Sequence, residues 1–264
     1  MSWDIYSNGL YIILTLAFGT WLLSVYMRDV SIVDSAWSIM FLVSAGYYYS
    51  LIPETDMRTN IIFTLIALWA LRLSLHLTWR NWGEPEDIRY QEIRTKYSPN
   101  FAFKSLYIIF LFQAILAWLI SAPLLSALHT TDSVSSLSAI DIIAMFFWVI
   151  GFTFESVSDY QLSKFKSNPD NSGKVMDKGL WKFSRHPNYF GEFMIWWGFY
   201  LFAMPYAPAW IIISPILMSW LLLKFSGVVM LEESIVIRKP QYKNYIQYTN
   251  TFFPGPRKIK QENI

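Results

Sequence analysis

The chain has 264 residues, of which 54% are hydrophobic, 19% are aromatic and only 15% are charged. Soluble domains carry about 25% charged residues, so this composition excludes a disordered chain and disfavours a water-soluble globule. There is no cysteine, which excludes a disulfide framework, a cysteine nucleophile and a thiolate metal site. Because the formal net charge is only +2, we expect no nucleic-acid partner.

Seven apolar stretches are long enough, or nearly so, to cross about 30 Å of hydrocarbon as helices. They cover residues 9–26, 30–52, 60–79, 103–128, 137–158, 189–204 and 207–230. The first lacks the basic flank and cleavage site of a removable signal peptide, so we expect it to remain in the protein. No linker separates two cores. The sequence therefore predicts an all-α integral membrane protein, with residues 1–264 as one membrane domain and residues 137–258 as its C-terminal, cofactor-binding half.

Lysine and arginine residues are concentrated in the connections on one side of the predicted spans. With the N-terminus outside, eighteen of them fall on the cytoplasmic side and only Arg58 falls outside. Positive residues are retained on the cytoplasmic side of a membrane. The sequence therefore predicts an outside N-terminus and a cytoplasmic C-terminus, in the inner (plasma) membrane of a bacterium or the endoplasmic reticulum of a eukaryote.

Charged residues inside the predicted spans are few, because each costs about 2.5 to 3.5 kcal/mol on insertion scales. Asp34 in span two and Arg72 in span three either neutralise each other or serve a function. Glu155 and Asp159 share one helical face at the end of span five, where like charges repel unless a ligand uses them. Lys166 follows within two turns. Acidic groups can bind a ribose hydroxyl and basic groups an adjacent phosphate, so the cluster suits a nucleotide. The same residues also occur at an ordinary charge-rich helix end at the membrane surface.

The most informative stretch leads into span six and reads Gly-Leu-Trp-Lys-Phe-Ser-Arg-His-Pro-Asn-Tyr-Phe-Gly-Glu. Pro187 is typical of a helix first turn, so Asn188 and Glu192 should share one inward face. Arg185 and His186 precede the helix, where free N–H groups and the helix dipole favour an anion. The stretch therefore indicates a phosphate or carboxylate site, although Arg-His before a span is also a plain positive flank.

Two other kinds of site are disfavoured by residue spacing. His76, His129 and His186 lie far apart without metal-ligand spacing, so we expect no metal site. The chain also has no Gly-x-Gly-x-x-Gly turn and no Walker loop. Any dinucleotide would therefore be held by side chains and helix ends.

The stretch before span six resembles part of the steroid 5-alpha-reductase superfamily, most closely its bacterial-type branch. Three further segments carry the same resemblance, which covers most of the chain. They are Ser31-Ile32-Val33-Asp34 with Trp37, the run from Arg80 to Tyr90, and the Glu232-Glu233 pair with the tail from Arg238 to Pro254. The Ser-Arg-His-Pro-Asn-Tyr-Phe-Gly-Glu run is the most specific of these motifs.

The resemblance implies a seven-helix membrane reductase that holds NADPH in a cytosol-facing cavity. It would transfer hydride to an activated C=C bond of a lipid-soluble substrate, such as a steroid-, prenyl- or fatty-enone-like molecule, without an obligate protein partner. The turn-rich segment 159–188 should become ordered around the cofactor. The expected cofactor contacts are Glu155, Asp159, Lys166, Arg185, His186, Asn188, Tyr189, Glu192, Glu232, Arg238 and Tyr242.

Reduction of an enone builds charge on its carbonyl oxygen, which a buried acid or a cation must stabilise. Steroid-reducing members use a glutamate on span two and a tyrosine on span three, and span three here has no tyrosine. Asp34 is the nearest acid and Arg72 the alternative oxyanion donor. The two roles conflict, because pairing with Arg72 would hold Asp34 ionised.

A second enzyme class shares part of this pattern. The Arg-His-Pro-x-Tyr-x-Gly stretch, the acidic pair and the Tyr-x-x-Tyr tail also resemble isoprenylcysteine carboxyl methyltransferases and phospholipid methyltransferases. In those enzymes the histidine and the tail bind S-adenosylmethionine, a role that His186 fits well. The Ser-Ile-Val-Asp and Glu-Asp-x-Arg-Tyr segments favour the reductase. A third reading, a non-enzymatic membrane scaffold, predicts no nucleotide binding.

Overall fold

The computed structural model describes residues 2–129, 136–225, 232 and 235–258. Within these ranges all regular secondary structure is helical, which agrees with the predicted all-α class. The α-helices are α1 (Trp3–Met27), α2 (Ile32–Ser50), α3 (Met57–Asn81), α4 (Ile88–Lys96), α5 (Phe101–Ser105), α6 (Phe112–Ile120), α7 (Ala122–Leu128), α8 (Ala139–Ser167), α9 (Pro187–Ala203), α10 (Ile213–Trp220) and α11 (Tyr242–Tyr248). A π-helical stretch over Leu106–Leu111 joins α5 to α6.

The chain divides into two compact units. The first comprises Met1–Ser138 and Phe202–Ser214, and the second comprises Ala139–Leu201 and Pro215–Ile264. The first unit contains α1 to α7. The second contains α8, most of α9, and α11, and it begins two residues after the start that the sequence predicted for the C-terminal half.

The first unit contains α1, α2 and α3, and side-chain caps fix the starts of α1 and α3. Ser2 accepts a hydrogen bond from the N–H of Ile5 (3.5 Å), and Asp56 accepts one from the N–H of Thr59 (2.7 Å). These caps satisfy N–H groups that a helix start leaves unpaired. With Asp56 as its cap, α3 begins at Met57, three residues before the predicted span.

Arg58 is a fully buried cation in the first turn of α3. Its two terminal nitrogens donate to the carbonyls of Ala127 (2.8 Å) and Phe202 (2.6 Å), and its guanidinium lies 4.9 Å from the ring of Tyr206. Both carbonyls belong to the last turns of helices, where C=O groups lack partners and the dipole favours a cation. Arg58 therefore ties together three segments of the first unit.

In the second unit, α8 and α9 cross at close range because glycines lie at the contact. A Cβ added at Gly191 would meet backbone atoms of Gly151 and Glu155 at 2.5 Å, and one at Gly198 would meet the carbonyl of Ala144 at 3.0 Å. Small residues permit such close approach between membrane helices. The contact fixes the rotation of each helix, and therefore fixes where their polar side chains lie.

Helix α8 continues past the predicted span, which ended at residue 158. Its 29 residues extend about 44 Å at 1.5 Å per residue, since the first strong helix breaker is Pro169. The connection to α9 is thus shorter than the predicted segment 159–188. It is also fixed by tertiary contacts, because Leu180 N donates to Gln161 (3.0 Å) and the Trp181 indole donates to the carbonyl of Ser158 (3.0 Å).

The C-terminal segment folds onto the turn that precedes α9. The hydroxyl of Tyr245 donates to the carbonyl of Trp181, and Ser184 Oγ donates to the carbonyl of Phe252 (2.8 Å). Both contacts join residues more than 60 positions apart in the chain. Part of the motif that precedes span six therefore serves to hold the tail.

Four helical runs in the described part of the chain are long and apolar enough to cross a membrane, as expected of a membrane protein. They are Trp3–Met27, Met57–Asn81, Phe101–Leu128 and Ala139–Ser167. Helices α2 and α9 occur at predicted spans two and six but are not among these four. The predicted seventh span reaches past residue 225 and so lies partly outside the described residues. Pro205 and Pro208 interrupt the helix between α9 and α10, as predicted.

Candidate functional site

Asp34 lies in the first turn of α2 and accepts hydrogen bonds on both carboxylate oxygens. Arg89 donates to one oxygen (2.8 Å), and the hydroxyl of Tyr90 donates to the other (2.5 Å). The side-chain amide of Gln113 donates in turn to the Tyr90 hydroxyl (3.4 Å). Each carboxylate oxygen of Asp34 therefore has one hydrogen-bond donor. Asp34, Arg89 and Tyr90 are hereafter the Asp34 cluster.

The segment that carries Arg89 is fixed to the start of α2. Asp87 caps α4 by accepting from the N–H of Arg89 (3.0 Å), and its own N–H donates to Ser31 Oγ (2.8 Å). Glu86 accepts a hydrogen bond from the N–H of Val30 (2.9 Å). The bond to Arg89 satisfies a helix-start donor of α4, and the bonds to Ser31 and Val30 hold this segment beside the start of α2, which fixes the position of the Asp34 cluster.

The electrostatics of the segment keep its carboxyl groups charged and its phenol neutral. Burial alone would raise the pKa of Asp87, but hydrogen bonds and charge from Arg89 outweigh burial, and the pKa is lowered. Burial and the neighbouring Asp34 carboxylate raise the pKa of Tyr90. At neutral pH Tyr90 is therefore a protonated hydrogen-bond donor.

The cation beside Asp34 is Arg89, where the sequence had suggested Arg72. Arg72 lies half-buried on α3. Arg89 and Tyr90 were not among the predicted site residues, because they reach Asp34 from a connection about 55 residues further along the chain. The available signal was the Glu-Asp-x-Arg-Tyr run, which carried the family resemblance without suggesting a role.

In the second unit, a row of polar side chains lies along α8 and α9. Glu155 and Asp159 are buried on one face of α8, as predicted. The side-chain amide of Asn188 donates to Asp159 (3.4 Å), and Glu192 is half-buried one turn later on α9. The predicted acidic face of α8 and the predicted polar face of α9 thus meet. Glu155, Asp159, Asn188 and Glu192 are hereafter the α8–α9 row.

Arg185 is buried, with only 6% of its surface exposed, and its guanidinium binds several groups at once. It donates to both carboxylate oxygens of Glu232 (2.6 and 3.1 Å) and to the hydroxyl of Thr251 (2.9 Å). It also donates to the carbonyls of Ile246 (3.0 Å) and Thr249 (2.6 Å). These two carbonyls lie at the end of α11, so Arg185 caps that helix while pairing with Glu232.

His186 is buried beside Arg185 and shares its carboxylate partner. The imidazole Nε2 lies 2.9 Å from Glu232, and the ring stacks on Tyr189 at 5.5 Å. Arg185, His186 and Glu232 are hereafter the Arg185 latch. An anion does lie beside these two residues, as the motif indicated, but it is the chain's own Glu232.

The remaining predicted residues lie near the latch or at the end of α8. Tyr242 is buried, and burial together with the Glu232 charge raises its pKa. Lys166 and Arg238 are exposed. Glu233 lies outside the described residues. Among the residues that the structure describes, no three His, Asp or Glu side chains are placed to hold a metal ion.

The latch should weaken as the pH falls. Burial would raise the pKa of Glu232, but hydrogen bonds from His186 and Arg185 lower it below its ordinary value of 4.5. A carboxyl with a depressed pKa stabilises the fold above its ordinary pKa and loses that effect as the pH falls through its native pKa. Glu232→Gln should therefore cost about 3 kcal/mol at pH 7. Its melting temperature should approach that of the parent as the pH falls below 4.5.

The measurement is the melting temperature of the detergent-solubilised protein across this pH range. Glu92→Gln, at an exposed position of α4, provides the matched control. The control should melt close to the parent at pH 7. A difference in melting temperature between Glu232→Gln and the parent that stays constant with pH would contradict the prediction.

Comparison with known proteins identifies the family. The profile of a family described as "Protein of unknown function (DUF1295)" matches residues 20–252, which is most of the chain. The chain belongs to the DUF1295 family. An uncharacterised protein of Schizosaccharomyces pombe is 25% identical to this DUF1295 protein over 268 residues, covering 89% of the chain and 75% of the relative. No solved structure matches.

The three groups of residues described above all belong to the part of this DUF1295 protein that matches the family. The Asp34 cluster, the α8–α9 row and the Arg185 latch fall within residues 20–252. So do the last turns of α11 and Thr251, to which Arg185 is bound. The matched region therefore covers most of both units and the contacts that Arg185 makes with the tail.

Proposed function

We propose that this DUF1295 protein is a membrane-embedded, NADPH-dependent reductase that acts on an activated C=C bond of a lipid-soluble substrate. One observation carries the proposal: the α8–α9 row brings buried and half-buried acids and an amide together between two apolar helices. Charged side chains in such helices are costly and by default functional. The resemblance to the steroid 5-alpha-reductase superfamily supplies the reaction class.

The side chains of the second unit suit a dinucleotide chemically. Asp159 offers a carboxylate for ribose hydroxyls, and Asn188 offers an amide that can both donate and accept. Lys166 and Arg238 are exposed and offer positive charge for phosphate groups. NADPH bound by these residues would supply the hydride. We assign the Arg185 latch a structural role instead of a cofactor contact. Glu232 neutralises the charge of Arg185, and the latch holds the start of α9 and the tail in place.

The Asp34 cluster supports the step that polarises the substrate. A hydrogen-bond donor placed at the carbonyl oxygen of an enone stabilises the charge that reduction builds there. Tyr90 carries a protonated hydroxyl, and Asp34 accepts from it and orients it. The phenol has a single proton, so Tyr90 would turn it from Asp34 to the substrate oxygen while Arg89 keeps Asp34 paired. We therefore assign the donor role to Tyr90 and a positioning role to Asp34, in place of Asp34 as the acid and Arg72 as the oxyanion donor.

We also propose the seven-span topology with the N-terminus outside and the C-terminus in the cytoplasm. The four long apolar runs support a bilayer environment, and the count of positive residues supports the orientation. In this topology the tail and the Arg185 latch lie in the cytoplasm, where NADPH is available. The membrane would be the inner membrane of a bacterium or the endoplasmic reticulum of a eukaryote.

Thermal stabilisation of the detergent-solubilised protein by nucleotides tests the proposal. A ligand at a hundredfold excess over its Kd stabilises by about 2.7 kcal/mol, so NADPH should raise the melting temperature and S-adenosylmethionine should not. Asn188→Ala and Glu192→Ala should each weaken NADPH binding about 5- to 150-fold, because each removes polar contacts worth about 1 to 3 kcal/mol. Asn244→Ala makes the same change at an exposed position of α11 and should bind like the parent.

The possible outcomes separate the candidate functions. Stabilisation by S-adenosylmethionine alone would replace the reductase with the methyltransferase that also resembles the C-terminal half. Stabilisation by neither nucleotide would overturn both enzyme classes. Unchanged NADPH affinity in Asn188→Ala and Glu192→Ala would exclude the α8–α9 row from the cofactor site.

A further inference from the structure

Two aromatic rings project from the surface of the second unit at the end of the described tail. Phe253 is 62% exposed and Phe183 is 42% exposed, whereas Phe252, which precedes Phe253, is buried. Phe183 and Phe253 are hereafter the aromatic patch. The segments that carry the two rings are hydrogen-bonded to each other, from the N–H of Gly255 to the carbonyl of Phe183, and exposed apolar surface is typical of a contact with a membrane or a partner.

The exposure of Phe253 is fixed by the backbone on both sides of it. Ser184 Oγ donates to the carbonyl of Phe252 (2.8 Å), and the N–H of Gly255 donates to the carbonyl of Phe183 (3.1 Å). With its neighbours held in this way, the backbone at Phe253 is fixed, and turning its Cα–Cβ bond inward would break these hydrogen bonds. The outward position of the ring is therefore built into the fold of the tail.

The patch continues an aromatic row along α9. The Phe253 ring lies 6.0 Å from the ring of Phe190 and 5.8 Å from that of Phe193, which occupy the first two turns of α9. Phe193 contacts Trp197 (5.9 Å), one turn further along this apolar helix. The tail therefore adds its exposed ring at the N-terminal end of the row, where the apolar part of α9 begins.

Positive side chains occur in the same two segments as the patch. The Lys182 ammonium lies 5.9 Å from the centre of the Phe183 ring. Lys178, Arg257 and Lys258 are exposed nearby in the same two segments, and Arg257 is paired with Asp177 (2.9 Å). Aromatic rings flanked by lysine and arginine are typical of segments at a membrane surface, where rings enter the headgroup level and cations meet lipid phosphates.

We propose that this face of the second unit is an anchor for anionic lipid. In this proposal the aromatic patch enters the boundary between headgroups and acyl chains, and the surrounding cations bind phosphate headgroups of the same leaflet. The tail from Phe252 to Lys258 then lies along the membrane surface. Continuity with the aromatic row of α9 favours lipid over a protein partner, because the row already leads into the apolar part of the helix. The inference is independent of the enzymatic activity.

Site-directed spin labelling tests the anchor directly, because the chain contains no cysteine. Phe253→Cys and, separately, Phe183→Cys are labelled with a nitroxide in nanodiscs of phosphatidylcholine, alone or mixed with phosphatidylglycerol. Both labels should be more accessible to oxygen than to a water-soluble nickel chelate, and the contrast should increase when phosphatidylglycerol is present. Asn244→Cys, at an exposed position of α11, is the control and should be more accessible to nickel in both lipids.

Nickel accessibility at positions 253 and 183 equal to that at 244 would overturn the anchor and leave the patch as a water-facing surface or a protein contact. The cations are tested by adding Lys178→Gln and Lys182→Gln to the labelled Phe253→Cys protein. The difference between the two lipid compositions should then disappear. A difference that persists would exclude recognition of anionic headgroups, and a melting temperature matching that of the labelled parent shows that the fold is intact.

Discussion

Replacing Arg185 with methionine should cost about 3 to 5 kcal/mol of stability and release the C-terminal segment. Methionine fills part of the space but leaves the half-buried Glu232 with His186 as its remaining partner, and it leaves the carbonyls of Ile246 and Thr249 without their donor. Because α11 loses the donor that caps its C-terminal carbonyls, opening should be confined first to residues 242–258. Amide hydrogen exchange followed by mass spectrometry is the measurement.

A control and a double variant make the result specific to the latch. Lys182→Met, three residues earlier and exposed, should exchange like the parent over residues 242–258. Arg185→Met combined with Glu232→Gln should recover part of the lost stability, since the uncompensated buried carboxylate is removed. Parent-like protection in the single Arg185→Met variant would mean that the latch does not hold the tail.

Features that depend on local periodicity could be predicted from the sequence. Pro187 starts α9, because a proline fits a helix first turn and cannot continue a preceding one. Glu155 and Asp159 share a buried face because they are four residues apart. Such relations depend only on the number of residues between two positions of one helix, which the sequence gives directly.

The partners of charged side chains could not be predicted in this way. Asp34 is bound by Arg89 from 55 residues away, and Arg185 is bound by Glu232 from 47 residues away. Nothing in local spacing distinguishes these cations from other arginines at helix ends. The motif predicted a bound phosphate or carboxylate beside Arg185 and His186, whereas the tertiary fold places the carboxylate of Glu232 there.

Helix ends were also set by factors other than hydrophobicity. The predicted span five ended where the apolar residues end, whereas α8 continues to Ser167, just before Asn168 and Pro169. Charged residues such as Lys164 and Lys166 are good helix formers and extend the helix into water. The apolar run therefore predicted the part of α8 suited to the membrane and not its full length.

Tyr90→Phe should lower turnover about a hundredfold, the usual effect of losing a positioned proton donor, while NADPH affinity stays within a few-fold. Phenylalanine keeps the ring and its packing against Val33 and Phe110 and removes only the hydroxyl. Asp34→Asn should be milder, about tenfold, because the asparagine oxygen can still accept from Tyr90.

Turnover is measured as NADPH oxidation with a panel of lipid-soluble enones, after the melting temperature has shown that each variant is folded. Tyr97→Phe, the same change at an exposed tyrosine, should keep parental turnover and so exclude a general effect of removing a hydroxyl. A loss in kcat without a matching rise in KM is expected for Tyr90→Phe, because the donor acts on charge that forms only in the transition state. If Asp34→Asn proved the more damaging change, the acid role would return to Asp34. Full turnover in Tyr90→Phe would overturn the donor role of Tyr90.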